Sequence, residues 1–351
     1  MDILTPAAAR TPRTVPKSAD LRPRALLAMD AGFRRRTYTP EAIDRLGRRV
    51  DWTCEPVEPA ALGLDPSLMS EVEVLFSGWG APAFDETFFD SAPKLRAIFY
   101  AGGSIRYLVP PTLWDRGIVI SSAYGMNARP VACFALGAIL LGLKHTWYYA
   151  RHAHVEGRFP ERRPMPGTYR STVGLVSLSQ TGIRVAELLA DHDLRVLAYD
   201  PLWSPERMKR IGVIPASLEE IFASCDVVSL HLPLLPETRG LITGRLVASM
   251  PVGATLINTA RGHVIDEPAL LEVLATRPDL TAVLDVTTEE PPSAGSPLYS
   301  LPNVMLTPHI AGSLDGDCAR MGDCMVDEFE RWLSGEPLRW SISREQFKTI
   351  A

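Results

Sequence analysis

The side chains best suited to bond-making chemistry fall in the last third of the sequence. Three segments carry them: Asn258-Thr-Ala-Arg261-Gly262, Asp285-Val-Thr-Thr-Glu289-Glu290-Pro291-Pro292 and Thr307-Pro308-His309-Ile-Ala-Gly312. Each follows a short apolar run, and each supplies one residue type that carbonyl reduction needs. The guanidinium of Arg261 can hold a carboxylate bidentately and polarise a neighbouring carbonyl. The imidazole of His309 can give a proton to a developing alkoxide, or take one from an alcohol. A carboxylate beside that histidine, from Glu289 or Glu290, favours the imidazolium. Taken singly, each residue has an ordinary explanation as a surface arginine, a structural histidine or a solvated turn acid. Their order, and their place at the ends of strands, points to one site.

A fourth segment speaks for a nucleotide. Val173-Gly-Leu-Val-Ser177-Leu-Ser179-Gln180-Thr181-Gly182 reads as a strand, a tight turn and a helix start, and a second strand then ends at Asp200, eighteen residues after Gly182. Backbone N–H groups at such a helix start bind a diphosphate, and the acid accepts from the adenosine ribose hydroxyls. A 2′-phosphate beside Asp200 would be repelled, which favours NAD over NADP. The glycine pattern is altered: Ser177 and Ser179 stand where the first two glycines are expected. Serine is the smallest polar replacement, and its hydroxyl can itself donate to a phosphate.

These groups need a scaffold. Strands are expected at Arg24–Met29, Val74–Phe76, Leu95–Tyr100 and Ile118–Ser121, and a helix starts at Thr39-Pro40, a cap followed by a first-turn proline. A long apolar helix is expected from about Pro130 to Ala150, buried in a core or a subunit interface. Residues 157–168 read as a loop. Six short apolar runs follow, at Thr172–Val176, Leu194–Tyr199, Val227–His231, Thr255–Asn258, Ala282–Val286 and Asn303–Leu306, with helical segments between most of them. That alternation predicts a doubly wound parallel sheet. A last helix spans about Gly316–Leu333.

Composition narrows the field. The chain has 351 residues, 46% hydrophobic and 22% charged, with a net charge of −5, so two domains are expected and nucleic acid is not. Cys54, Cys133, Cys225, Cys318 and Cys324 form no CxxC pair and no metal spacing, and read as reduced cytoplasmic thiols. No apolar run reaches the ~18 residues of a membrane helix. Residues 1–23 lack the apolar centre of a signal peptide and read as a flexible tail.

Together these segments resemble the D-isomer-specific 2-hydroxyacid dehydrogenase family, which includes glycerate, glyoxylate/hydroxypyruvate, phosphoglycerate, D-lactate and formate dehydrogenases. The likeness covers roughly residues 70–335. It rests on Thr172–Pro201, Val228–Gly240, Asn258–Gly262, Leu284–Pro292 and Pro302–Gly312. The resemblance implies two Rossmann-like α/β domains. A substrate domain is built from residues 24–124 and 313–351, with an NAD-binding domain, 125–312, inserted between them. It implies Arg261 as carboxylate anchor, Glu290 rather than Glu289 as partner of the acid, and His309 as acid/base. It places Asp285 against the nicotinamide carboxamide, Thr259 and Ala260 on the nicotinamide side, and His231 and Pro233 on the adenosine side. Ser179, Gln180, Thr181, Gly182, Asp200 and Gly312 complete the cofactor set, with no metal.

The segment Tyr100-Ala-Gly-Gly103-Ser104-Ile-Arg106 matches the family's substrate loop, so the amides of Gly103 and Ser104 are expected to hold the substrate carboxylate. Arg106 stands where the family usually has Asp, and two readings stay open for it: a surface arginine, or a reader of a second anionic group on the substrate. Cys133 stands where an acidic residue is common. A homodimer through the long helix near 130–150 is expected. No regulatory domain follows residue 345, so feedback by an amino acid is not expected. Two other readings stay open: a scaffold that senses a dinucleotide or a protein without turnover, and a related oxidation of phosphite or formate.

Overall fold

The computed structural model describes residues 22–350; most of the expected N-terminal tail lies outside the described residues. Among the described residues the chain divides into two compact units, one comprising residues 22–127 and 313–350, the other 128–312.

The first unit holds a five-stranded sheet: β1 (Arg24–Leu27), β2 (Asp51–Trp52), β3 (Val74–Gly78), β4 (Ala97–Ala101) and β5 (Val119–Ser122), in the order β2-β1-β3-β4-β5. Every pairing is parallel, with β1 to β3 in register Ala25–Val74 and β3 to β4 in register Val74–Ala97. Strands β3 and β4 are buried on both faces, as their unbroken apolar runs require. One face is closed by the helix Gly316–Leu333, whose Phe329 meets Phe76 and Phe99 edge-on at 5.1 and 5.6 Å. Burying each of these phenyl rings is worth about 2 kcal/mol. The helix Pro40–Gly47 starts as expected, with the Thr39 hydroxyl accepting from the Ala42 N–H and proline in the first turn.

The second unit holds seven parallel strands: β6 (Thr172–Val176), β7 (Arg195–Tyr199), β8 (Ile214–Pro215), β9 (Val227–Leu230), β10 (Thr255–Asn258), β11 (Thr281–Leu284) and β12 (Val304–Leu306). Their order is β12-β11-β10-β9-β6-β7-β8. The chain starts in the middle, winds out to β8, then crosses back to build the other half from β9. This is the doubly wound α/β fold expected from the sequence. The order reverses between β6 and β9, so a crevice is left at their carboxyl ends, where ligands bind in such sheets.

The long helix differs from expectation. It spans Tyr124–Leu143, with Pro130 inside it and not at its start. It ends where His145 takes a left-handed backbone, φ 49°, and a separate helix follows at Thr146–Glu156. The chain passes from one unit to the other within it, at Asn127–Ala128. This helix is also long and apolar enough to cross a membrane by length and composition, although the sequence offers no unbroken apolar run of that length; nearly half of it is buried in the fold.

Candidate active site

The turn after β6 is built around Asp200. The Asp200 carboxylate accepts from the Leu178 N–H at 2.7 Å, the Ser177 hydroxyl at 3.2 Å and the Leu202 N–H at 2.8 Å. Ser177 lies in the left-handed region at φ 79°, the conformation for which glycine is the usual choice. Ser179 caps the helix Gln180–Leu189: its oxygen accepts from the Gly182 N–H at 3.4 Å and donates to the His231 carbonyl at 2.9 Å. The expectation that a serine hydroxyl serves a phosphate is therefore corrected. Both hydroxyls bond within the protein, one to Asp200 and one to β9's exit. Gly182 is required by space, since a Cβ there would sit 2.1 Å from the Ser177 carbonyl oxygen. The N–H groups of Gln180 and Thr181 have no acceptor among the described residues.

Beside this turn, His231 is buried, and neither ring nitrogen has a hydrogen-bond partner among the described residues. Burial pushes its pKa down to about 3, so the ring is neutral at ordinary pH. Pro233 is half-buried, its carbonyl accepting from the Thr238 hydroxyl at 2.6 Å.

Strands β10, β11 and β12 deliver the other three segments side by side. After β10, the fully buried Asn258 braces the turn from within: its Oδ1 accepts from the Ala260 N–H at 3.0 Å and its Nδ2 donates to the Arg261 carbonyl at 2.9 Å. Arg261 is half-buried, and its Nη1 donates to the Ala260 carbonyl at 2.6 Å. The Thr259 Oγ1 is buried with no partner among the described residues. Gly262 presses on the next loop, where a Cβ would meet the Thr287 carbonyl carbon at 2.0 Å.

After β11, the buried Asp285 accepts from the Thr307 hydroxyl at 2.6 Å and from the N–H groups of Ile310 and Ala311 at 2.8 and 2.9 Å. Its own carbonyl accepts from the His309 N–H at 2.9 Å. Asp285 thus fastens the segment that carries His309, whose backbone is left-handed at φ 54°. The His309 Nδ1 lies 2.9 Å from Glu290 Oε2, with both side chains open to solvent. Glu290 Oε1 accepts from the Thr287 N–H at 3.2 Å. Glu289 is exposed, and the hydrogen bond and ion pair to the imidazole come from Glu290. A carboxylate at Nδ1 fixes the tautomer with the proton on that nitrogen and leaves Nε2 for a reactant.

Residues 137–311 match the family model described as D-isomer specific 2-hydroxyacid dehydrogenase, NAD binding domain. The chain belongs to that family. Among similar proteins, a D-3-phosphoglycerate dehydrogenase of Archaeoglobus fulgidus is 33% identical over 260 residues, covering 74% of this chain and 49% of the relative. One from Mycobacterium tuberculosis is 31% identical over 301 residues, covering 85% and 56%. The chain spans about half the length of these curated relatives. A solved Thermus thermophilus protein is 28% identical with a TM-score of 0.72, covering 91% of this chain and all of that one. The apo D-mandelate dehydrogenase of Rhodotorula graminis, 22% identical with a TM-score of 0.76 over 92% and 98% of the two chains, shares the fold.

For this member of the 2-hydroxyacid dehydrogenase family, the loop after β4 holds the remaining expected residues. The Ser122 hydroxyl donates to the carbonyls of Gly102 and Gly103 at 3.0 and 2.6 Å. The N–H groups of Gly103 and Ser104 make no hydrogen bond among the described residues. Arg106 is placed differently from expectation. Its Nε donates to the Ile350 carbonyl at 3.1 Å, its Nη2 to the Phe347 carbonyl, and its guanidinium lies 5.2 Å from the centre of the Phe347 ring. An arginine held this way is not a reader of a second anionic group, and that expectation is corrected. Sequence reading missed the partner because it lies some 240 positions away. It also missed the brace at Asn258, although the side chain's position before a tight turn was a usable signal. Gly312 ends the second unit.

Proposed function

We propose that the chain is an NAD-dependent oxidoreductase that moves a hydride between NAD(H) and C2 of a small 2-oxo or 2-hydroxy acid. The observation that carries this reading is the His309–Glu290 pair, 2.9 Å apart, on the loops after β12 and β11, the two strands on one side of the β10 that leads to Arg261. The cofactor's fit rests on polar groups the protein leaves unmatched: the Gln180 and Thr181 amides, the Thr259 hydroxyl and the His231 ring. Asp200 Oδ1, with one donor, keeps capacity for a ribose hydroxyl. The nicotinamide, when bound, supplies or accepts the hydride. In the reductive direction Arg261 holds the acid's carboxylate and orients C2. His309 gives the proton from Nε2 to the oxygen on C2, while the Glu290 carboxylate at Nδ1 balances the imidazolium charge. In oxidation the same nitrogen takes the proton back.

The test is NADH oxidation across a panel of 2-oxo acids, with NADPH in parallel and with phosphite and formate offered to NAD. Turnover is expected with NADH. Arg261→Ala or His309→Ala should lower it by about a thousandfold with an unchanged thermal midpoint. Wild-type turnover in either variant overturns the reading. Thermal stabilisation by NAD without turnover of any substrate favours a dinucleotide-sensing module.

A cytoplasmic homodimer belongs to the same proposal. On the helix Tyr124–Leu143, Cys133, Gly137 and Leu141 are exposed and Phe134 and Leu140 half-exposed, an apolar stripe suited to a second copy. Light scattering should give twice the chain mass, and Leu141→Lys should shift it towards the single chain.

A further inference from the structure

The loop Gly103–Arg106 is short and rich in small residues, so on its own it would sample many conformations. Two groups hold it. From one side, Ser122 donates to the Gly102 and Gly103 carbonyls. From the other, the Arg106 N–H donates to the Ser104 hydroxyl at 3.1 Å, and the Arg106 guanidinium reaches the carbonyls of Phe347 and Ile350. That second anchor is itself fixed. The helix Arg344–Phe347 is capped by Ser343, the Phe347 ring packs on Trp114 at 4.8 Å, and the Trp114 indole donates to the Ile342 carbonyl at 2.9 Å. The guanidinium, with its planar fork of donors, bridges two carbonyls that a single ammonium does not span equally well.

We propose that Arg106 is a positioning residue for acid recognition. By tying the loop to the segment Ser343–Ile350, it presets the Gly103 and Ser104 amides to receive a carboxylate. The inference rests on the oxidoreductase reading above. Preset donors need no ordering when the acid binds, so the tie lowers the cost of binding without touching the acid itself. It also gives residues 343–350 a part in substrate affinity although none of them need meet the substrate.

The probe is glyoxylate, which has no side chain and therefore reports on carboxylate and carbonyl recognition alone. It is used as variable substrate, or as competitor if a larger acid turns over better. Arg106→Ala should raise the KM or inhibition constant about tenfold, with kcat and the NADH dissociation constant within about twofold of wild type. Arg106→Lys should fall between the two. Phe347→Leu, which keeps most of the buried volume, should raise the same constant by a smaller factor and carry the test if Arg106→Ala does not fold. A purely structural arginine would lower the thermal midpoint without separating KM from kcat. Unchanged glyoxylate constants in Arg106→Ala, or in Arg106→Lys and Phe347→Leu if the alanine variant is lost, overturn the inference. With Arg261→Ala inactive alongside, that result leaves the oxidoreductase reading standing. An active Arg261→Ala overturns the reading instead.

Discussion

After β6 the chain turns through a left-handed position occupied by a serine, Ser177 at φ 79°; after β10 the crowded position keeps its glycine, Gly262. The two sites separate two reasons for needing glycine. At Ser177 the obstacle is the residue's own backbone conformation, which costs roughly 1–2 kcal/mol for a side-chain-bearing residue and can be offset. Here the offset is visible as the hydroxyl bond to Asp200. At Gly262 the obstacle is another segment's backbone, 2.0 Å from any Cβ, and no local bond removes it. Position 177 in the turn after β6 can therefore depart from glycine, whereas Gly182 in that turn and Gly262 in the turn bearing Arg261 cannot.

The strongest way to break this contrast is Gly262→Ala. The loops at 258–262 and 285–290 must separate, costing on the order of 3 kcal/mol and misplacing Arg261, so both the midpoint of urea unfolding and turnover should fall. A stable, active alanine variant would show that the contact yields easily. Next comes His231, which lies beside the turn through its carbonyl bond to Ser179. Its ring has a pKa of about 3 when folded and near 6.5 when unfolded, so as pH falls through that window the unfolded chain takes up a proton that the folded one refuses. Stability should decline from pH 6.5 towards 3. His231→Leu should flatten that part of the stability–pH curve, and an unchanged slope would assign the acid limb to other groups. The smallest effect is at Ser177. Ser177→Ala loses the bond to Asp200 and keeps the strain, while Ser177→Gly loses both. The glycine variant should be more stable than the alanine variant by about 1 kcal/mol, and equal stabilities would mean the turn carries no strain.

Much of this was legible from residue order. Thr172–Val176, Thr255–Asn258 and Gly316–Leu333 have the bounds read from sequence, because strands buried on both faces and a strongly amphipathic helix leave unbroken patterns. The edge strands β2 and β8 were not seen: two residues each, they carry no pattern. The helix Ala31–Thr37 was missed because three consecutive arginines hide any apolar stripe. The start of the long helix differs, since Pro130, read as its beginning, sits six positions inside the helix that starts at Tyr124. In the site, the residue types were legible, but the choice between Glu289 and Glu290 needed the resemblance, and Arg106's partner needed the fold.

The division of the chain has a consequence for how such a protein can change. Asp200, Arg261, Glu290 and His309 all come from the one uninterrupted stretch of the second unit, 128–312, whereas the amides at Gly103 and Ser104 and their tie at Arg106 come from flanking stretches. Mutation or recombination outside that stretch can alter the loop at 103–106 and its tie while the His309–Glu290 pair is inherited intact.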